Sequence, residues 1–150
     1  MKWIRIVFII ISIILLFVII YAIINCEVSY KYEIEGRNGD KVDIPNSYLK
    51  GHTPKDFFVL CIKGDSMYPQ YQDGDKVLIL RQSTVNYSGD VGAVIYNDEI
   101  STLKKIEFVE DEDWLRLVPV NPNVPPILIA GEELKHCRIM GVPKLLIREM

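Results

Sequence analysis

The sequence predicts a mainly β, barrel-like domain preceded by a single transmembrane helix. Two observations carry this reading. Residues 6–25, "IVFIIISIILLFVIIYAIIN", contain no charge. The remainder breaks into short runs of β-branched and aromatic residues between Gly, Pro, Asn and Asp, with no convincing amphipathic helix and no internal repeat. The 150 residues are therefore divided into an anchor, 1–26, and one domain of ordinary size, 27–150.

The anchor follows from length. Twenty helical residues rise about 30 Å, the thickness of the hydrocarbon core. Trp3 and Tyr21 stand near its ends, where amphipathic rings prefer the interface. The run is longer than the apolar core of a cleaved signal peptide, and "YAIINCEV" offers no small-residue cleavage site. Asn25 is bulkier than lipid processing at Cys26 normally accepts. Lys2 and Arg5 precede the span, so the expected topology is a cytoplasmic N-terminus and an extracytoplasmic C-terminal domain.

Every Asp and Glu lies at or after Glu27, which leaves 15 basic against 20 acidic residues once Lys2 and Arg5 are set aside. An acidic balance argues against nucleic acid as a partner, because phosphate binding needs a basic face. The partners expected instead are a protein or peptide substrate and, through residues 6–25, the lipid bilayer. Cys26, Cys61 and Cys137, with His52 and His136, have no metal-ligand spacing. Cys61 and Cys137 are read as small buried hydrophobes. Neither a metal nor a cofactor is assigned.

The strands are read in order. "VSYKYEIE" (28–35) alternates strictly between apolar and polar. An Asn-Gly turn signal leads to "KVDI" (41–44). "PNSYLKGHTPKD" reads as a linker with one helical turn. Then come "FFVLCIK" (57–63), "KVLILR" (76–81), "VGAVIY" (91–96) and "STLKKIEFV" (101–109), the last two joined by a tight turn at 97–99. "WLRLVPV" (114–120), "PILIA" (126–130) and "CRIMGVPKLLI" (137–147) complete the set, and the acidic run 110–113 reads as a solvated hairpin tip.

The chemistry centres on "IKGDSMYPQYQDGD" (62–75). A serine such as Ser66 needs a base and oxyanion donors before it is a nucleophile. Neither histidine stands in a recognisable partner pattern. A lysine can serve if an apolar setting keeps it neutral, and "STLKKIEFV" offers Lys104 and Lys105 on opposite faces of one strand. Periodicity alone does not choose between them. Asp65, Asp73 and Asp75 lack the spacing and closing Glu of a calcium loop.

Three segments in order, "KGDSMYPQYQDGDKVLI", "GDVGAVIYNDEISTLKKI" and "LVPVNPNVPPI", resemble the LexA-like Ser-Lys peptidases, the family of LexA, UmuD and many phage repressors. "VDIP" and "FFVLCIKGDSM" match its lead-in, so the resemblance runs over about residues 42–147. It implies a LexA C-terminal-like β fold with Ser66 as nucleophile and Lys104, not Lys105, as base. It further implies that the backbone N–H groups of Ser66 and Met67 hold the oxyanion, that 121–126 border the substrate groove, and that the domain forms a homodimer. The serine and lysine motifs also resemble type I signal peptidases, which carry an N-terminal membrane anchor.

Two features depart from the repressors. They carry a helix-turn-helix where this chain has a membrane span, so DNA binding does not transfer. They also cut themselves at Ala-Gly or Cys-Gly upstream of the serine, and here Ala130-Gly131, in an expected strand, is the only such pair. The nearest upstream candidate, Cys26-Glu27, matches poorly. The reading is a membrane-anchored serine endopeptidase with a Ser-Lys dyad. The alternatives are signal-peptidase-like processing of precursors and a non-catalytic tethered sensor with the peptidase fold.

Overall fold

The computed structural model describes residues 2–25, 31–35, 39, 41–97 and 101–150. The chain divides into two units, Met1–Tyr30 and Lys31–Met150. The first holds one helix, α1 (Lys2–Asn25), whose stretch Lys2–Tyr21 has a mean hydropathy of 3.1 and is long and apolar enough to cross a membrane. Large apolar side chains from Trp3 to Tyr21 are exposed along it.

The second unit is mainly β. A two-stranded antiparallel sheet pairs β1 (Lys31–Glu35) with β2 (Lys41–Pro45). A seven-stranded antiparallel sheet follows: β3 (Phe57–Cys61), β4 (Lys76–Arg81), β5 (Val91–Tyr96), β6 (Thr102–Glu107), β7 (Trp114–Val118), β8 (Ile127–Ala130) and β9 (Cys137–Ile147). Its order is β3-β4-β9-β5-β6-β7-β8. The runs chosen for β4, β5 and β9 match residue for residue. The others end within a few residues of the expected bounds, apart from the start of the first, at 28–30, which lies outside the described residues. So do most of the Asn-Gly turn and positions 98–99 of the turn after β5, although Asn97 has the positive φ of 54° such a turn uses. The linker holds two 3-10 turns, Asn46–Tyr48 and Pro54–Asp56, where one was expected, and an unassigned third runs Gly131–His136.

β9 organises the sheet. Its first half pairs with β5 and its second half with β4, and each ladder carries a bulge, at Ala93/Val94 and at Leu78/Ile79. Bulges bend and twist a strand, which gives the sheet its barrel-like curvature. Gly141 sits where the pairings meet. A Cβ there would lie 2.1 Å from the Leu80 carbonyl oxygen, so only glycine fits. Pro143, which has no N–H to give a ladder, falls beside the second bulge, where that loss is tolerated.

Two apolar clusters form. Ile34 and Ile44 of the small sheet pack with Val59, Leu78, Val94, Ile106, Leu117 and Ile129. Met67 and Tyr71, from the β3–β4 loop, pack with Phe58, Ile79, Ala93 and Leu103. Cys61 and Cys137 are half-buried, which corrects the expectation of full burial: they lie at strand ends, where neighbours cover one side.

The β3–β4 loop is tied to the C-terminus by Asp75. Its carboxylate, 2% exposed, accepts two hydrogen bonds of 2.7 Å from the Arg148 guanidinium and one of 2.7 Å from the Gln72 N–H. The Arg148 hydrogen bonds hold the carboxyl below the ordinary range. Arg148→Ala should strand this buried charge. Thermal unfolding should show a loss of about 1–3 kcal/mol, typical for an unsatisfied buried polar group.

Candidate active site

The loop between β3 and β4 carries Ser66. Its base continues the strand ladder: the Ile62 N–H donates to the Asp75 carbonyl (2.8 Å) and the Gly74 N–H to the Ile62 carbonyl (2.9 Å). Within it, Asp73 accepts from the Gly64 N–H at 2.7 Å, and Gly64 takes a left-handed φ of 81°. The Tyr68 N–H donates to the Asp65 carbonyl (3.0 Å) and the Tyr71 N–H to the Met67 carbonyl (2.9 Å). Asp73 and Asp75 thus serve as acceptors for backbone and guanidinium groups. The Met67 side chain, 2% exposed, plugs the second apolar cluster and fixes the turn from beneath.

Lys104 comes from β6, an interior strand between β5 and β7. It is 8% exposed. Its Nζ lies 2.9 Å from Ser66 Oγ, 2.9 Å from Thr102 Oγ1 and 2.9 Å from the Leu103 carbonyl oxygen. Thr102 shares its face by strand alternation, which brings the two side chains together. Lys105, pointing the other way, is half-buried. Burial lowers the Lys104 pKa from its ordinary value, because a charged amine loses hydration there. A neutral amine has two N–H groups and one lone pair. Thr102 Oγ1 and the Leu103 carbonyl can take the two N–H groups, which leaves the lone pair for the Ser66 hydroxyl proton.

The segment after β7 closes over the serine. Asn121, buried at 7% exposure, donates its backbone N–H to the Ser66 carbonyl (3.0 Å) and its Nδ2 to the Asp65 carbonyl (3.1 Å). Its own oxygens accept from Asn123 N–H (3.0 Å) and Val124 N–H (3.1 Å). That is a proline turn, Asn-Pro-Asn-Val, with Pro122 at its second position. Residues 121–126 were read only as a rigid groove-side loop. The reach of Asn121 back to Ser66, 55 positions earlier, had no local signal, although an Asn opening a proline turn marks a fixed backbone. The histidines stand apart from this chemistry: both are exposed, and the His52 ring meets Phe57 edge-on at 5.8 Å.

A mainly β domain that sets a buried lysine amine against a serine on a tight, apolar-anchored loop defines a class, the Ser-Lys arrangement on a LexA-like fold. The chain belongs to the Peptidase S24-like family, which it matches over residues 23–143. It is 36% identical over 106 residues to a LexA repressor of Pseudothermotoga lettingae, covering 69% of this chain and 50% of that protein. A Clostridium kluyveri LexA repressor is 34% identical over 103 residues (68% and 46%), and one from Thermotoga maritima 35% over 105 (69% and 50%). The chain spans about half the length of these curated relatives.

A lowered lysine pKa makes stability depend on pH. Between the depressed and ordinary values the unfolded chain holds the proton and the native chain does not. This contribution therefore rises with pH, by up to about 1.4 kcal/mol per unit. Burial raises Tyr71 and Cys137, which act in the opposite sense, so the comparison must be between variants. Lys104→Met should unfold at a higher temperature than the parent near neutral pH. The gap should narrow toward pH 10 in parallel melts; a constant gap would mean the amine is not held neutral.

Proposed function

We propose that the protein is a membrane-anchored serine endopeptidase, with Ser66 as nucleophile and Lys104 as general base. The observation that carries this is the 2.9 Å approach of a buried lysine Nζ to the serine Oγ. The Ser66 Oγ attacks a peptide carbonyl carbon and its proton passes to Lys104 Nζ. The oxyanion accepts hydrogen bonds from the backbone N–H groups of Ser66 and Met67. Among the described residues neither N–H donates to another backbone acceptor, which supports that role. The C–N bond then breaks as the Lys104 ammonium returns the proton to the leaving amine, leaving an acyl ester on Ser66. Water attacks this ester, gives a proton to Lys104 and releases the new carboxyl group. Lys104 hands the proton back to Ser66 Oγ. The substrate is an extended segment of a protein.

The dyad is tested by cleavage of a peptide library presented to the detergent-solubilised protein. Ser66→Ala should abolish cleavage. Lys104→Ala should lower it on the order of 10²–10⁴-fold, the usual share of a general base. Lys105→Ala should cost little. Since only the neutral amine accepts a proton, activity should climb with pH around an apparent pKa below that of free lysine. A profile flat into acid would exclude lysine as the base.

The same reading assigns residues 1–26 to the anchor and 27–150 to the peptidase domain, with the N-terminus cytoplasmic and the domain outside. The charge-free run 6–25 of α1, with Lys2 and Arg5 ahead of it, supports it. The chain should stay in the membrane fraction after a carbonate wash, and a C-terminal reporter should respond as an extracytoplasmic one. Recovery as a soluble protein with a mature N-terminus near residue 26 would replace the anchor with a cleaved signal.

A further inference from the structure

Four hydrogen bonds converge on Asn121, and two of them end on successive carbonyls, those of Asp65 and Ser66. The peptide bonds after these carbonyls are trans; the only cis bond among the described residues is Tyr68-Pro69. In a trans peptide plane the C=O and N–H point in opposite directions. Fixing the Asp65 carbonyl therefore fixes the direction of the Ser66 N–H, and fixing the Ser66 carbonyl fixes that of the Met67 N–H. Both planes are thus held from behind by one residue.

We propose that Asn121 is the positioning residue of the oxyanion site, clamping the two peptide planes whose N–H groups point toward the developing charge. This rests on the reading of Ser66 and Met67 as the oxyanion donors. Asparagine suits the task because it needs a side-chain donor for the Asp65 carbonyl and an acceptor for the Asn123 N–H. An aspartate would lack the donor. The turn through Pro122 holds Asn121 in place, and its 7% exposure keeps water from competing for the two carbonyls. Oxyanion donors act through preorganisation, so a few tenths of an ångström of freedom in these planes reduces their effect.

The test uses the full-length chain in detergent micelles with p-nitrophenyl acetate, whose attack by Ser66 passes through the same kind of oxyanion. The p-nitrophenolate burst gives the acylation rate as a function of ester concentration and pH. Asn121→Ala and Asn121→Leu both remove the side-chain donor without adding charge, and leucine keeps the volume. Each folded variant should lose at least about 10-fold in the limiting rate. The half-saturating ester concentration and the apparent pKa should stay as in the parent, because Lys104 and its surroundings are untouched. A folded variant at the parental rate would overturn the proposal. So would a loss that vanishes at higher pH, since that would place the effect on Lys104. Absence of any Ser66-dependent burst from the parent chain would instead overturn the peptidase reading, and this proposal with it.

Discussion

The structure turns on the burial of one amine. Lys104 lies on an interior strand, and burial alone accounts for its lowered pKa. A carboxylate beside it would favour the charged form and undo the effect. What surrounds it is neutral: a hydroxyl on the same face, a strand carbonyl and the serine. Those groups also satisfy the amine, so burying it leaves no unpaired donor. The cost of holding a lysine this way falls on stability, and two apolar clusters offset it.

The loop bearing Ser66 is held as well, as the proposed dyad requires. Its rigidity does not come from regular structure. Met67 is sunk into the core, Asp73 stitches the loop to its own backbone, Asp75 ties it to Arg148, and Asn121 grips it from the segment after β7. Asp73 and Asp75 thus serve as acceptors for backbone N–H groups in a tight, glycine-bearing turn. β9 supplies the frame by pairing with both β4 and β5, and Gly141 is the point where that double pairing would otherwise clash.

Much of this was legible in the sequence, and what was not has a common cause. Short apolar runs bounded by turn residues marked β4, β5 and β9 to the residue, because composition and turn residues are local properties. Strand periodicity could say that Lys104 and Lys105 face opposite ways, but not which face meets the serine. Family resemblance chose Lys104, and the buried approach to Ser66 Oγ is that of Lys104. The bulges of β9, the Asp75–Arg148 pair across 73 positions and the reach of Asn121 to Ser66 are contacts between distant segments, and no window of sequence contains them. The final 3-10 turn was missed for another reason: six residues carry too short a period to register.

A serine in a Gly-Asp turn ordinarily hydrogen-bonds its own neighbourhood, and that local use would explain Ser66 without any chemistry. The geometry departs from it. Asp73, Asp75 and Asn121 bond the loop backbone at Gly64, Gln72, Asp65 and Ser66. The side-chain oxygen turns to an amine 38 positions away, on a strand that has buried a lysine side chain at a cost. A fold selected for packing alone would place leucine or methionine at the buried position 104. A buried amine directed at a hydroxyl is the feature that packing does not explain, and it is what supports the proton transfer proposed above.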